Sequence, residues 1–361
     1  MWIVGFLLVL GPLVTLHELG HYLVGRLFGV KADAFSVGFG KELAGYTDKR
    51  GTRWKLSALP LGGYVQFAGD MNPASQPSED WLALPEAERA QTFQAQPLWQ
   101  RALIVAAGPV TNFLIAIAIL ASFNFAYGKE VTPPVVQYVA ERSAAASAGV
   151  LAGDRIVALD GSPVETFEDL AKTVSLYPGG RFVLTVERDG RSIERPVVLG
   201  SVVKRDTFGN AYRVGQLGVG STLRSSEPVG AGEAVTLAVS QTGDIVVMMV
   251  TGIRQIVTGE RSVKELGGPL KIAKFSGEQL SLGWRQFVWF AAMISINLAF
   301  INLLPIPALD GGHLAFYAAE AVRRKPLGPR SQEWAFRTGM ALVLMLMLFV
   351  TVNDVASLLR G

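Results

Sequence analysis

Four long stretches without charge limit what this 361-residue chain can fold into. The first runs from Trp2 to Gly25 apart from a cluster at His17, Glu18 and His21, and the second from Ala102 to Gly128. The third lies between Arg285 and Asp310, and the fourth runs from Thr338 to Asn353. About 20 apolar residues wound as a helix cross the hydrocarbon core of a bilayer. Half of the residues are hydrophobic and only 17% are charged, and the mean hydropathy is +0.33, too apolar for an ordinary soluble protein. The expected fold is an α-helical polytopic membrane protein with four transmembrane helices. A fifth apolar segment, from Val235, is interrupted by Asp244 and Arg254, so it fits an amphipathic helix on the membrane surface better than a span. The first stretch has no basic region before it and no small-residue cleavage site, and it reads as a retained span.

Lys and Arg residues gather in two of the connecting loops. Lys31, Lys41, Lys49, Arg50, Arg53, Lys55, Arg89 and Arg101 lie between spans one and two, and Arg323, Arg324, Lys325 and Arg330 between three and four. Cytoplasmic loops carry such an excess, which puts both termini and the long segment from about Gly128 to Gly283 outside. No dense basic run is interleaved with aromatics, so nucleic acid is not an expected partner; the lipid bilayer is.

Imidazoles and a carboxylate inside an apolar span need compensation, because a charge at mid-span costs about 2.5–3.5 kcal/mol. On a helix, positions i and i+4 share a face. His17 and His21 can therefore offer two nitrogens to one ion, with Glu18 beside them, in the H-E-x-x-H arrangement of zinc metallopeptidases. Two histidines hydrogen-bonded to a neighbouring span would need no ion, but coordination offsets the burial more completely. A catalytic zinc takes three protein ligands and keeps one position open. The chain has no cysteine and only one further histidine, so the third ligand should be an acid from another span. Asp310 is the candidate, at the end of the third stretch in "NLLPIPALDGGHLAF", where Pro305 and Pro307 break the helix. An Asp-Gly turn capping the following helix is the plainer alternative. His313 reads as a supporting or structural group rather than a fourth ligand.

Taken together, "HELGH", "AAGPVTNF", "GGPLKI" and "NLLPIPALDG" resemble the site-2 protease family of intramembrane zinc metalloproteases, in its bacterial RseP-like branch. The resemblance implies that His17, His21 and Asp310 bind Zn2+, that Glu18 is the catalytic base, and that Asn302, Pro305 and Pro307 hold substrate. It further implies cleavage within the membrane segment of a single-span protein, such as an anti-sigma factor already trimmed by a first protease, in the bacterial inner membrane. Other readings are a membrane-bound PDZ adaptor with a structural metal, or a protease for signal-peptide remnants.

Two further regions carry patterns of their own. Ala144 to Val174 contains the G-x-x-x-G-D-x-I pattern of a PDZ domain, so an extracytoplasmic PDZ-like α+β module is expected between about Val131 and Leu199. Alternating apolar residues between Phe35 and Phe67 imply short antiparallel strands, a membrane-associated β-hairpin region. The expected organisation is a first span over 1–28, a cytoplasmic loop with β-structure over 29–98, and a second span over 99–127. The PDZ-like domain then occupies 128–200, and a linker with the amphipathic helix 201–283. The third span with the L-D-G motif covers 284–312, a cytoplasmic loop 313–333, and the fourth span with the C-terminus 334–361.

Overall fold

A computed structural model describes residues 1–69, 84–205, 211–258, 267–325 and 328–360. The chain divides into two compact units, one made of Met1–Ser122 with Val235–Gly361 and the other of Phe123–Ala234.

Five helices among the described residues are long and apolar enough to cross a membrane: Trp2–Leu27, Leu98–Tyr127, Ala231–Val257, Trp284–Asn302 and Ser331–Ala356. Helix α1 (Trp2–Leu27) and helix α2 (Leu98–Tyr127) run antiparallel, since Ile104 of α2 meets His21 and Asn112 meets His17. Glycines set how closely they approach. A Cβ at Gly20 would lie 2.7 Å from the Ala107 carbonyl oxygen, inside van der Waals contact. A long apolar surface remains exposed on these helices, as lipid requires: Leu8, Leu23, Leu103 and Leu114 face outward.

Between α1 and α2, strands β1 (Ala32–Thr47) and β2 (Arg53–Phe67) form an antiparallel sheet. Repeated register shifts curl it, so Phe35 pairs with both Trp54 and Val65. The turn is pinned by Asp48, whose carboxylate accepts from the Arg50 and Thr52 amides and from the Trp54 indole N–H. The Trp54 bond, before the others, holds that carboxyl below its usual range. Phe35, Phe67, Phe93 and Ile104 join Tyr22 of α1 in one buried cluster, which fastens the sheet to the C-terminal half of α1.

The smaller unit is α+β. Strands β3 (Arg155–Leu159), β4 (Ser162–Pro163), β5 (Arg181–Arg188) and β6 (Arg191–Val198) form a sheet in the order β4-β3-β5-β6. Helix α3 (Phe167–Leu176) is capped by the Thr166 hydroxyl, which accepts the Asp169 amide, and it buries Leu170 and Val174 against Ile156, Leu184 and Val186. Arg188 donates to Asp154 at 2.6 and 2.8 Å, bonds that lower the Asp154 pKa. The stretch read from sequence as the start of a linker also contributes. Leu217 enters the same core, Val219–Gly220 pairs with Tyr138–Val139, and Ser225–Glu227 with Lys129–Val131.

Helix α4 (Ala231–Val257) is the segment expected on the membrane surface. One of its faces is instead packed: Ala238 is fully buried with Ala116 and Leu120 of α2, and Ile245, Val246 and Met249 extend that cluster. Asp244 and Arg254, which broke the apolar run in sequence, lie outside that face. Helix α5 (Pro269–Leu282) then lies against the N-terminal half of α1, its Ser276 and Gly277 beside Gly5 and Trp2. Gly283, at φ 117°, turns the chain into α6 (Trp284–Asn302). Phe287 packs near Val9 and Leu13, and Asn302 reaches the level of His17, so α6 runs parallel to α1. Helix α7 (Asp310–Arg323) and helix α8 (Pro329–Arg360) complete the unit. Asp354 of α8 is buried and accepts from the Gly268 and Lys271 amides at 3.0 Å each, capping α5 from a different helix.

Candidate metal centre

His17 and His21 sit one turn apart on the inner face of α1, each 7% exposed, with their Nε2 atoms 3.2 Å apart. Between α6 and α7 the chain makes a broken turn over residues 303–309. Pro305 and Pro307 prevent a continuous helix there, and Ala308 adopts φ 96°, a region costly for a residue with a Cβ. Gly311 and Gly312 let this turn fold back on the start of α7: a Cβ at Gly312 would lie 2.7 Å from the Ile306 carbonyl carbon and the Pro307 Cα. The result carries Asp310 inward. Its Oδ2 lies 3.2 Å from His17 Nε2 and its Oδ1 3.7 Å from His21 Nε2.

Three ligand atoms, one from each of these residues, all lie within 4.8 Å of one another. Tetrahedral zinc with nitrogen and oxygen ligands near 2.0–2.1 Å puts its ligand atoms about 3.3 Å apart, close to the spacing found. Asp310 Oδ2 is buried and has no hydrogen-bond partner. Such an orphan is costly without a cation. The donor set therefore fits zinc, and His21 is prepared for it, because its Nδ1–H donates to the Ile104 carbonyl at 2.8 Å and leaves Nε2 free.

Glu18 points into the same space. Its Oε2 accepts the Val65 amide at 3.2 Å, which ties the carboxylate to β2. Glu18, His17, His21, Asp310, Asn112 and Asn302 line a cavity of about 330 Å³. Of the residues implied to hold substrate, Asn302 is on the wall. Pro305 and Pro307 are not, and Pro307 packs instead against Gly339 of α8. His313 lines the cavity without joining the ligand group.

Residues 5–346 match Peptidase family M50. The chain belongs to that family. An Agrobacterium fabrum protein whose assigned name is that of a zinc metalloprotease is 47% identical over 99% of this chain and 96% of its own length. The metalloprotease MmpA of Caulobacter vibrioides is 36% identical over 98% of this chain and 94% of its own. Among solved structures, the PDZ domain of the SdrC-like protein from Listeria innocua is similar over 26% of this chain and 99% of that chain, at 20% identity and a TM-score of 0.21.

This M50 peptidase is a zinc-dependent metalloprotease in a membrane setting, and intramembrane proteolysis is general to its family. Its site includes groups beyond the expected set: Ile104, Gly108 and Asn112 of α2, and the Val65 amide of β2. Two of these had a signal in sequence: Gly108 and Asn112 fall at i and i+4 within the "AAGPVTNF" motif, the spacing of a single helix face. The Ile104 carbonyl and the Val65 amide had none, because a backbone group leaves no mark on residue type.

Proposed function

We propose that the chain hydrolyses a peptide bond within or at the edge of a transmembrane segment, using zinc held by His17, His21 and Asp310 and the Glu18 carboxylate as base. The convergence of those three ligands with Glu18 on one cavity among the apolar helices carries this reading. Bound zinc supplies Lewis-acid polarisation of the scissile carbonyl and a lowered pKa for the attacking water. Glu18 takes the proton of that water, holds it on its carboxylate, and delivers it to the leaving amine. The Val65 amide keeps Glu18 aimed at the cavity through both transfers. Asn302 meets the substrate backbone from the opposite wall, and the Pro305–Pro307 turn fixes where Asp310 projects.

A helical substrate hides its peptide bonds, so it must unwind. The β2 segment around Val65 supports this step: β1 pairs with one of its edges, while the Val65 amide on the other edge points to Glu18. An extended segment can add there as a strand and bring its carbonyls beside the metal. The preferred substrate class is a single-span membrane protein already shortened outside the membrane, of the anti-sigma-factor type, cut to release a cytoplasmic fragment.

The directions of the helices support a sidedness in the bacterial inner membrane. Since α1 and α6 run parallel with α2 between them, α4 and α5 together must enter and leave on one side. Four full crossings plus a re-entrant α4–α5 pair satisfy this, with both termini outside and Lys49 and Lys325 in the cytoplasm. The Phe123–Ala234 unit is then extracytoplasmic and PDZ-like, and it restricts which substrates are processed.

Incubating the purified protein with a trimmed single-span substrate tests the reading. Cleavage should map within or beside the substrate's membrane segment, stop with a zinc chelator and return with added zinc. Cleavage that persists after zinc is removed would refute it.

A further inference from the structure

One face of α2 is built around the two histidines. The Ile104 carbonyl accepts from His21, and Gly108 leaves the space both rings occupy, since a Cβ there would lie 2.7 Å from His17 Nε2 and closer still to His21. Four residues on, the side-chain amide of Asn112 lies 3.2 Å from His17 Nδ1. Asn112 is 1% exposed, and its backbone carbonyl accepts the Ser295 hydroxyl at 2.7 Å, so α6 fixes its position.

We propose that Asn112 is a positioning residue for the zinc site: its amide oxygen accepts the Nδ1 proton of His17 and so presents Nε2, as a lone pair, to the metal. This rests on the zinc assignment above. A neutral imidazole that binds metal through Nε2 carries its proton on Nδ1. The partner at Nδ1 must then be an acceptor. An amide presents its oxygen or its nitrogen at that point with no change of shape. With the nitrogen there, two donors would oppose each other and the buried Oδ1 would have no hydrogen-bond partner. With the oxygen there, His17 is held as His21 is held by the Ile104 carbonyl, and the amide NH2 becomes a donor on the cavity wall. Both ligand histidines thus take their tautomer from the same face of α2.

Zinc dissociation constants measured by chelator competition on the purified full-length protein test this, using Asn112→Asp, Asn112→Leu and His17→Ala beside the parent. Asn112→Asp keeps an acceptor and should bind zinc at least as tightly as the parent. Asn112→Leu keeps the volume without the acceptor and should weaken zinc about 10- to 100-fold, with altered visible bands when cobalt is substituted. Equal weakening by Asp and Leu, or none by Leu, would overturn the proposal. Should the Leu protein fail to fold, Asn112→Asp still decides, because a donor at this position predicts its loss of zinc. His17→Ala separates the layers: if it retains zinc, the ligand assignment itself is wrong, whereas loss of zinc there with no effect in Asn112→Leu removes only the role of Asn112.

Discussion

A single hydrogen atom's worth of space governs the metal centre at Gly108. Ala is the better helix former by about 1 kcal/mol, so Gly108→Ala should favour α2 locally. Its Cβ would nevertheless press on both histidine rings. We expect zinc affinity to fall at least about tenfold, as when a group supporting a ligand is lost, with the far-UV spectrum unchanged; an Ala protein that binds zinc normally would show that the rings have room. His17, Glu18, His21 and Asp310 were legible in the sequence because an apolar background makes polar residues stand out and helical spacing groups them. Asn112 and Gly108 were quoted in a motif but not given a role, since only the antiparallel pairing of α2 with α1 turns their spacing into contacts with the histidines.

At the scale of elements, α5 depends on a cap from another helix. Removing the Asp354 carboxylate leaves the Gly268 and Lys271 amides without that acceptor, at a cost of about 0.5–2 kcal/mol for a helix cap. In Asp354→Leu, hydrogen exchange should quicken in α5 before it does in α2 or α6. Uniform exchange across all three would mean that α5 is held by its packing on α1 alone. Sequence hid this cap, because capping residues are sought just before a helix and Asp354 lies 86 residues beyond Gly268. The smaller unit has its own acid-sensitive link. Asp154 has a lowered pKa beside Arg188, so its stabilising contribution is present above the unfolded value of about 3.9 and is lost as pH falls through the folded value. Exchange in β3 and β5 should therefore rise below about pH 4 in the parent, and already at neutral pH in Asp154→Asn. Sequence located β3 and α3 by the PDZ-like pattern. It stopped short at Leu199, because the later strands pair with segments 80 to 100 residues earlier, beyond the reach of local periodicity.

For the whole molecule, the four uncharged stretches mark four of the five described helices that are long and apolar enough to cross a membrane, and the Lys and Arg asymmetry of the loops is the basis for the orientation proposed above. The role of α4 was not legible: its charges suggested a surface helix, and only its packing on α2 and α6 shows a buried face. Absence of cysteine makes the arrangement testable with single introduced thiols. In intact cells, an impermeant reagent should label Cys at Asp189 and at Ser281 and spare Cys at Lys49 and Lys325; protection at Ser281 would mean that α4 crosses alone. Replacing residues 131–199 with a flexible linker should speed cleavage of a full-length substrate and leave that of a trimmed one nearly unchanged. Slower cleavage of the trimmed form would instead mark the unit as a recruiter. The central claim is a metal held by His17, His21 and Asp310 with Glu18 as the proton carrier, and one paired measurement tests it most directly: zinc content and turnover of purified Glu18→Gln and Asp310→Ala. Glu18→Gln should retain one zinc per chain while turnover falls by about 10²- to 10⁴-fold, and Asp310→Ala should lose both. Normal turnover in Glu18→Gln, or a full complement of zinc in Asp310→Ala, would contradict the account.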